Sequence, residues 1–360
     1  MEQLLKANEF LLDLTTEYVE PVLALSLRSA LFYGAAAGLA LLLVSLTVSY
    51  SLTARMDPKG KHVLVTGGSS GIGLAVAIKY AKLGAHITLV ARNMKKLEAA
   101  KGHVLDGVDL DVTNTKVHII SLDTSSGQEA VTKKLVTEEN PLGPVDILVN
   151  CAGTSIAGEF DTTDTTEFSK MFNTNVLGSV YPTRALLPQM KANKSSTRIV
   201  FVSSQVAQAA LHGYTAYAAS KWALRGLAEA LQMEVKPHGI LVSVAYPPDT
   251  DTPGYEVEMA TKPDLTKKLS ETGSLFTSQD VANDIVKYSG QGYFGISTGL
   301  DGWMLKQAHP GLSPVNNLWE TLQLVLLSPI AKIIGIFVVL TWDLQCADTV
   351  KADSKKAKKE

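Results

Sequence analysis

The chain has 360 residues, of which 46% are hydrophobic and 19% charged, with a net charge of −2 and a mean hydropathy of +0.12. That length accommodates one large α/β domain plus extensions, and the apolar balance points to membrane segments rather than a wholly water-soluble enzyme. The near-neutral charge gives no electrostatic basis for nucleic-acid binding. The two cysteines, Cys151 and Cys346, have neither metal-ligand spacing nor the density of a disulfide framework, so no metal is expected.

Residues 1–30 carry Glu2, Glu9, Asp13, Glu17 and Glu20 against only Lys6 and Arg28. From Leu31 to Leu52 no charged residue occurs, and Leu, Ala and Val dominate. A helix needs about 20 such residues to cross a bilayer, so residues 31–52 are predicted to be a transmembrane helix. The acidic segment before it is the wrong charge for a cleaved signal peptide. Arg55, Lys59 and Lys61 follow the run. The positive-inside rule then places residues 1–30 in the lumen and the following domain in the cytosol.

Between residues 60 and 300, short apolar runs alternate with helical spacing. His62–Val65, His86–Ala91, Val117–Leu122, Val145–Val149, Arg198–Val202 and Ile240–Val244 are rich in Val and Ile. They read as parallel strands buried on both faces. Leu74–Leu83 and Thr215–Val235 read as helices. This alternation predicts an α/β fold with a Rossmann-like doubly wound parallel sheet. Residues 101–116 read as a loop insertion.

The segment Thr66-Gly67-Gly68-Ser69-Ser70-Gly71-Ile72-Gly73 follows the first predicted strand and opens a helix. Its glycines allow a tight turn and close approach of backbone N–H groups to a pyrophosphate, which meets the positive end of the helix dipole. Ser69, Ser70 and Ile72 share that loop. At the end of the second strand, an NAD enzyme usually carries a carboxylate for the ribose hydroxyls. Here the residues are Ala91-Arg92-Asn93, with Lys96 beyond. Arg92 and Lys96 suit a 2′-phosphate, so NADPH is the expected cofactor. Asp123 is placed to meet the adenine edge. Asn150, Cys151, Ala152 and Gly153, after the fourth strand, are expected to line the floor beneath the cofactor.

Tyr217 and Lys221 stand at i and i+4, on one helix face. A free phenol has a pKa of about 10 and works slowly near neutrality. A nearby ammonium and an oxidised nicotinamide favour the phenolate and bring it into a useful range. Tyr217 is then the expected proton donor to a carbonyl oxygen, with a serine hydrogen-bonded to the same oxygen. Strand alternation puts Ser203 and Ser204 on opposite sides and leaves both open. Asn175 is placed to hold a water between Lys221 and solvent. This constellation describes a nicotinamide-dependent carbonyl reductase or alcohol dehydrogenase, and its completeness argues against a non-catalytic scaffold.

Toward the C-terminus, residues 317–342 form a second hydrophobic segment, whose stretch from Leu322 to Leu340 is interrupted by Pro329 and Lys332. Neither half alone is long enough to span a bilayer, which leaves one kinked span, a re-entrant hairpin or a helix lying in the interface. A monotopic or re-entrant attachment to membrane lipid is expected, because a stretch between a cytosolic domain and a cytosolic tail cannot cross just once. Residues 343–360 form a basic tail ending Lys356-Ala-Lys358-Lys359-Glu360. That ending looks like a cytosolic endoplasmic-reticulum retrieval signal.

Taken together, Thr66–Gly73, Asn150–Gly153, Asn175, Ser204, Tyr217 and Lys221 resemble the short-chain dehydrogenase/reductase pattern. The resemblance covers about residues 60–250 and selects Ser204, thirteen residues before Tyr217, as the catalytic serine. Phe201–Gln205, Arg225–Pro237 and Ala245–Gly254 resemble a narrower family, the 3-ketodihydrosphingosine reductases. That likeness implies reduction of a long-chain amino ketone, 3-dehydrosphinganine, with NADPH at the cytosolic face of the endoplasmic reticulum. Membrane-bound reductases of steroids, retinoids or 3-ketoacyl thioesters share the catalytic pattern and are the alternative. The long segment before Leu31 departs from the narrower family. The resemblance also implies a dimer or tetramer formed through the helices carrying Asn175 and Tyr217. After the sixth strand, one of Asp249 and Asp251 is expected to pair with the substrate's 2-ammonium group, the alternative being that they cap the following turn.

Overall fold

The computed structural model describes residues 55–109, 113–138, 141–193, 195–270, 274–309, 311 and 313–357, with Thr16, Glu17, Ser29, Phe32, Tyr33, Gly34 and Gly38 near the N-terminus. The predicted lumenal segment, the predicted span from Leu31 to Leu52 and tail residues 358–360 otherwise lie outside the described residues.

Seven parallel strands form the main sheet: β1 (His62–Thr66), β2 (His86–Ala91), β3 (Val117–Ser121), β4 (Ile147–Asn150), β5 (Thr197–Val202), β6 (Ile240–Tyr246) and β7 (Gly295–Ser297). Their order is β3-β2-β1-β4-β5-β6-β7. The order reverses between β1 and β4, where Val63 pairs with Ile147 and Thr66 with Asn150. Such a switch point opens a crevice beyond the carboxyl ends of the strands. The helices used below are α1 (Gly71–Lys82), α2 (Met94–Asp106), α3 (Gly178–Ala192), α4 (Thr215–Val235), α5 (Pro253–Thr261), α6 (Ser278–Gly290), α7 (Gly299–Ala308) and α8 (Leu318–Ala357).

The strands read as unbroken apolar runs because both faces are covered. Val63, Val65, Ile87 and Leu89 pack toward Val76 and Tyr80 of α1, Leu97 of α2 and Ile285 of α6. Leu64, Val90, Leu148 and Phe201 face the other way, toward Leu186 of α3 and Leu224 of α4. Each fully buried Leu or Phe contributes about 1.5–3 kcal/mol through removal from water. Period-two alternation within one strand therefore feeds two cores.

Two expectations need correction. Residues 101–106 are not loop but the end of α2: Leu97, Ala100 and Val104 bury one face of it, and the Asn93 side chain accepts the Lys96 N–H as an N-cap. Charged and glycine residues between those apolar positions hide the helical stripe from a composition reading. For the C-terminal apolar stretch, the re-entrant hairpin is the expectation to correct. The stretch is one continuous helix, α8, that runs through Pro329. Proline there removes one backbone hydrogen bond, and the turns on either side carry the helix past it. Among the described residues, Leu318–Thr349 is the helix long and apolar enough to cross a membrane, with a mean hydropathy of 2.4. The short strand β7 gives too few residues for a periodic signal, and the sequence reading missed it.

Candidate active site

Thr66 ends β1, and its hydroxyl accepts the N–H groups of Cys151 and Ala152, 3.1 and 3.2 Å away. This stitches the ends of β1 and β4 together across the switch point. The turn that follows depends on absent side chains. Gly67 has φ +68°, and a Cβ there would lie 2.8 Å from the Ala152 nitrogen. A Cβ on Gly73 would lie 2.4 Å from the Gly67 carbonyl oxygen. The loop can fold this tightly only with glycine at both positions. Ser70 caps α1 in extended geometry, but its side chain makes no capping bond, and no acidic residue stands in the first turn. The N–H groups of α1 are thus left for an anion, as a pyrophosphate site requires.

A cavity of about 1490 Å³ lies over this loop. Gly67, Ser69, Ser70, Gly71, Ile72 and Gly73 line one end of it. Arg92 and Lys96, both exposed, stand at its wall with Asp123. Partial burial works to raise the Asp123 carboxyl, but the Ser125 hydroxyl and N–H, at 2.7 and 2.9 Å, and the Arg92 charge outweigh it and hold the carboxyl low. Cys151, Ala152 and Gly153 line the floor as expected. Burial lifts the Cys151 thiol to about 11, so it is not a nucleophile near neutrality.

Asn150 does not join that floor. It is 1% exposed, and its side chain turns inward to donate to the Thr183 hydroxyl at 2.9 Å. As the last residue of β4 it is paired on both sides, with Thr66 and with Phe201, which holds it inside the sheet. Asn175 is also fully buried and off the cavity wall. It lies in a π-helical stretch, Phe172–Leu177, that leads into α3. Its amide donates to the Thr154 carbonyl at 3.0 Å and to Ser220 at 2.9 Å, and its oxygen accepts the Thr154 N–H at 2.8 Å. Rather than facing a water path, the Asn175 side chain braces the turn after β4 against α4.

Ser204, Tyr217 and Lys221 meet at the cavity wall. Both serines border it, but their roles part. The buried Ser203 hydroxyl donates to the Lys221 carbonyl at 2.9 Å and belongs to the scaffold. The Ser204 hydroxyl accepts the Val206 N–H at 3.3 Å and stands on the side of the Tyr217 phenol, whose upward shift it opposes. The Lys221 Nζ donates to the Val202 carbonyl at 2.9 Å and lies 5.8 Å from the Tyr217 ring centre. Burial lowers Lys221 to about 8. Tyr217 differs from the expectation of an ammonium-lowered phenol. Burial and the carboxylates of Glu258 and Asp249 push it up, opposed by the Ser204 hydroxyl. Carboxylates from the segment after β6 thus add to burial in raising the phenol.

That segment holds what the sequence reading missed. Glu258, on α5, accepts hydrogen bonds from the Tyr214 and Ser155 hydroxyls and borders the cavity. The buried Lys262 lies 3.5 Å from Asp249 and 3.7 Å from Glu258. Of the two carboxylates expected to receive a substrate cation, Asp249 is at the wall, whereas Asp251 is exposed and off it. Glu258 carries no motif, and only the folding back of α5 brings it beside Tyr217. At its far end the cavity is bordered by α7 and by Ile334, Ile336, Val338, Val339 and Leu340 of α8.

Such a sheet, with a glycine loop at its switch point and Ser, Tyr and Lys at one wall, defines a dinucleotide-dependent oxidoreductase class. The chain belongs to the short chain dehydrogenase family, which it matches over residues 61–262. Among its relatives are the 3-ketodihydrosphingosine reductase of Bos taurus, 47% identical over 82% of this chain and 89% of the relative, and the 3-dehydrosphinganine reductase of Danio rerio, with the same identity and coverage. A 3-ketodihydrosphingosine reductase of Dictyostelium discoideum is 36% identical over 78% of this chain and 86% of its own. Similar solved structures include L-sorbose reductase from Gluconobacter frateurii complexed with NADPH and L-sorbose (TM-score 0.57, 27% identity, 68% of this chain and 98% of that one). Another is 3-ketoacyl-(acyl-carrier-protein) reductase from Brucella melitensis complexed with NADH (TM-score 0.56, 26% identity, 64% and 91%).

Proposed function

We propose that the protein reduces 3-dehydrosphinganine to sphinganine with NADPH. The observation that carries this reading is a single cavity that joins the glycine loop, the Ser204–Tyr217–Lys221 wall and an apolar stretch of α8. A polar reacting end and a greasy far end suit a ketone with one long alkyl tail. The relatives named above supply the particular ketone.

In this reading the open N-terminus of α1 and the loop Gly67–Gly73 hold the pyrophosphate, and Arg92 with Lys96 holds the 2′-phosphate. Bound there, NADPH supplies hydride to the ketone carbon. Ser204 hydrogen-bonds the ketone oxygen, and Tyr217 gives that oxygen its proton. Lys221 supplies the positive charge that favours the departing proton's phenolate. Asn175 acts by bracing residues 153–154 against α4.

The same proposal places the enzyme at the endoplasmic reticulum membrane with its catalytic unit in the cytosol. The uncharged run from Leu31 to Leu52, the basic residues after it and the lysine-rich tail support this placement. Residues of α8 border the catalytic cavity, and its apolar side chains, Ile334, Ile336 and Leu340 at the cavity as well as Ile330, Ile333 and Phe337, are exposed. We therefore read α8 as lying against the bilayer surface beside the catalytic unit, so that a lipid substrate enters without crossing water.

The test is NADPH oxidation by the detergent-purified full chain, with 3-dehydrosphinganine set against steroid, retinoid and 3-ketoacyl substrates. Sphinganine formation is expected, and turnover confined to another substrate class would sink the reading. Arg92→Ala is expected to narrow the preference for NADPH over NADH by about 10- to 100-fold, the worth of a charge-assisted phosphate contact. Competitive titration of the two cofactors measures it, and an unchanged ratio would move the 2′-phosphate elsewhere.

A further inference from the structure

The segment after β6 places two carboxylates and one ammonium beside the proposed proton donor. Lys262 is the only cation among these three groups, and its side chain is 0% exposed. Among the described residues its Nζ has no hydrogen-bond partner, only the longer ion pairs to Asp249 at 3.5 Å and Glu258 at 3.7 Å. The rings of Tyr214 and Tyr255 flank it, with centres 5.4 and 5.8 Å away. Two anions therefore share one buried cation, and the trio keeps one unit of negative charge.

That charge lies where it matters. Glu258 is 12% exposed, borders the cavity, and is hydrogen-bonded to Tyr214, whose ring centre is 5.7 Å from that of Tyr217. The proposed substrate carries its ammonium on the carbon next to the ketone. Once Ser204 and Tyr217 hold the ketone oxygen, the ammonium must lie within a few ångströms of them. A site with surplus negative charge there is complementary to a 2-amino ketone and indifferent to a plain one.

We propose that Glu258, supported by Asp249, is the counter-charge for the substrate's 2-ammonium group and sets the preference for an amino ketone over an uncharged long-chain ketone. The inference rests on the proposed reaction and deepens it. It also gives the substrate a part in catalysis. The same two carboxylates raise Tyr217, so a cation seated on them offsets that field and makes the phenol a better acid when the right substrate is bound. Lys262 in this arrangement is a positioning residue that holds the two carboxylates together.

The experiment compares 3-dehydrosphinganine with the 3-ketone of equal length that lacks the 2-amino group, using detergent-purified full-length protein. Wild type is expected to favour the amino ketone in kcat/KM on the order of 10²-fold, as expected for a desolvated charge pair. Glu258→Gln keeps the shape and one acceptor oxygen, turns the other position into a donor that a hydroxyl can accept, removes the charge, and is expected to abolish most of that preference. Asp249→Asn should move the ratio in the same direction by less. Equal loss on both ketones in Glu258→Gln overturns the inference and leaves Glu258 as a holder of Tyr214 and Ser155. If Glu258→Gln does not fold, the wild-type ratio and Asp249→Asn decide: no preference in wild type overturns the inference alone. A wild type that reduces neither ketone while reducing another class overturns the proposed reaction together with this inference.

Discussion

Tyr217→Phe is expected to lower the rate of ketone reduction about 10³- to 10⁴-fold while leaving NADPH binding within a few-fold of wild type. The proton donor of a carbonyl reduction contributes at the upper end of what general acid catalysis supplies. Phenylalanine keeps the ring, whose centre lies 5.7 Å from that of Tyr214, and removes only the hydroxyl. Single-turnover NADPH oxidation reads the chemistry, and cofactor fluorescence reads binding. A mutant that turns over within tenfold of wild type would remove Tyr217 from the mechanism. The pH dependence follows from the same environment. Because burial and the carboxylates hold the phenol above its ordinary range, it stays protonated through neutral pH, and reduction has its donor in place. The reverse reaction needs the phenolate, so sphinganine oxidation by NADP is expected to rise with pH well past neutrality.

Gly73→Ala is expected to weaken NADPH binding by at least about 30-fold. The new methyl would lie 2.4 Å from the Gly67 carbonyl oxygen and 2.9 Å from the Gly67 carbonyl carbon. Those are backbone atoms, so no side chain can swing away, and the loop itself must open. Overpacking of this kind costs about 1–3 kcal/mol, and here the distorted part is the anion site. Gly102→Ala makes the matched control. Gly102 sits inside α2, and a Cβ there meets nothing within 4 Å. Alanine at such a site is expected to stabilise the fold by about 0.5–1 kcal/mol through helix propensity. Thermal unfolding separates the two: Gly102→Ala should raise Tm and keep cofactor affinity, whereas Gly73→Ala should lose affinity whatever its Tm. Equal affinities in the two variants would show that the loop tolerates a side chain.

The chain order of apolar runs was enough to read six of the sheet's strands, because strands covered on both faces carry continuous Val and Ile. The phosphate loop and the Tyr217/Lys221 pair were equally legible, since each packs its chemistry into a few consecutive residues. Helix α4 matched its expected bounds, Thr215–Val235, because one long amphipathic pattern fixed both ends. The end of α2 and the strand β7 were missed where the local signal was diluted or too short. Asn150 and Asn175 were placed at the site by their motifs, yet the structure turns both side chains into the protein. A motif records which residue stands at a strand end, but not which way hydrogen-bond competition rotates its amide.

The sequence by itself determined the fold class, the glycine-rich loop after β1 and the pairing of Tyr217 with Lys221 on one helix face, because each follows from short-range spacing and backbone sterics. Only the tertiary structure decided which of Ser203 and Ser204 faces the phenol, since that depends on how β5 meets α4. It alone made α8 one helix through Pro329 and set apolar side chains from Ile334 to Leu340 at the edge of the catalytic cavity. It alone brought Glu258 beside Tyr217, from a helix whose local pattern is that of any polar surface. Electrostatic fields act through space, and their sources are assembled by the fold from distant parts of the chain.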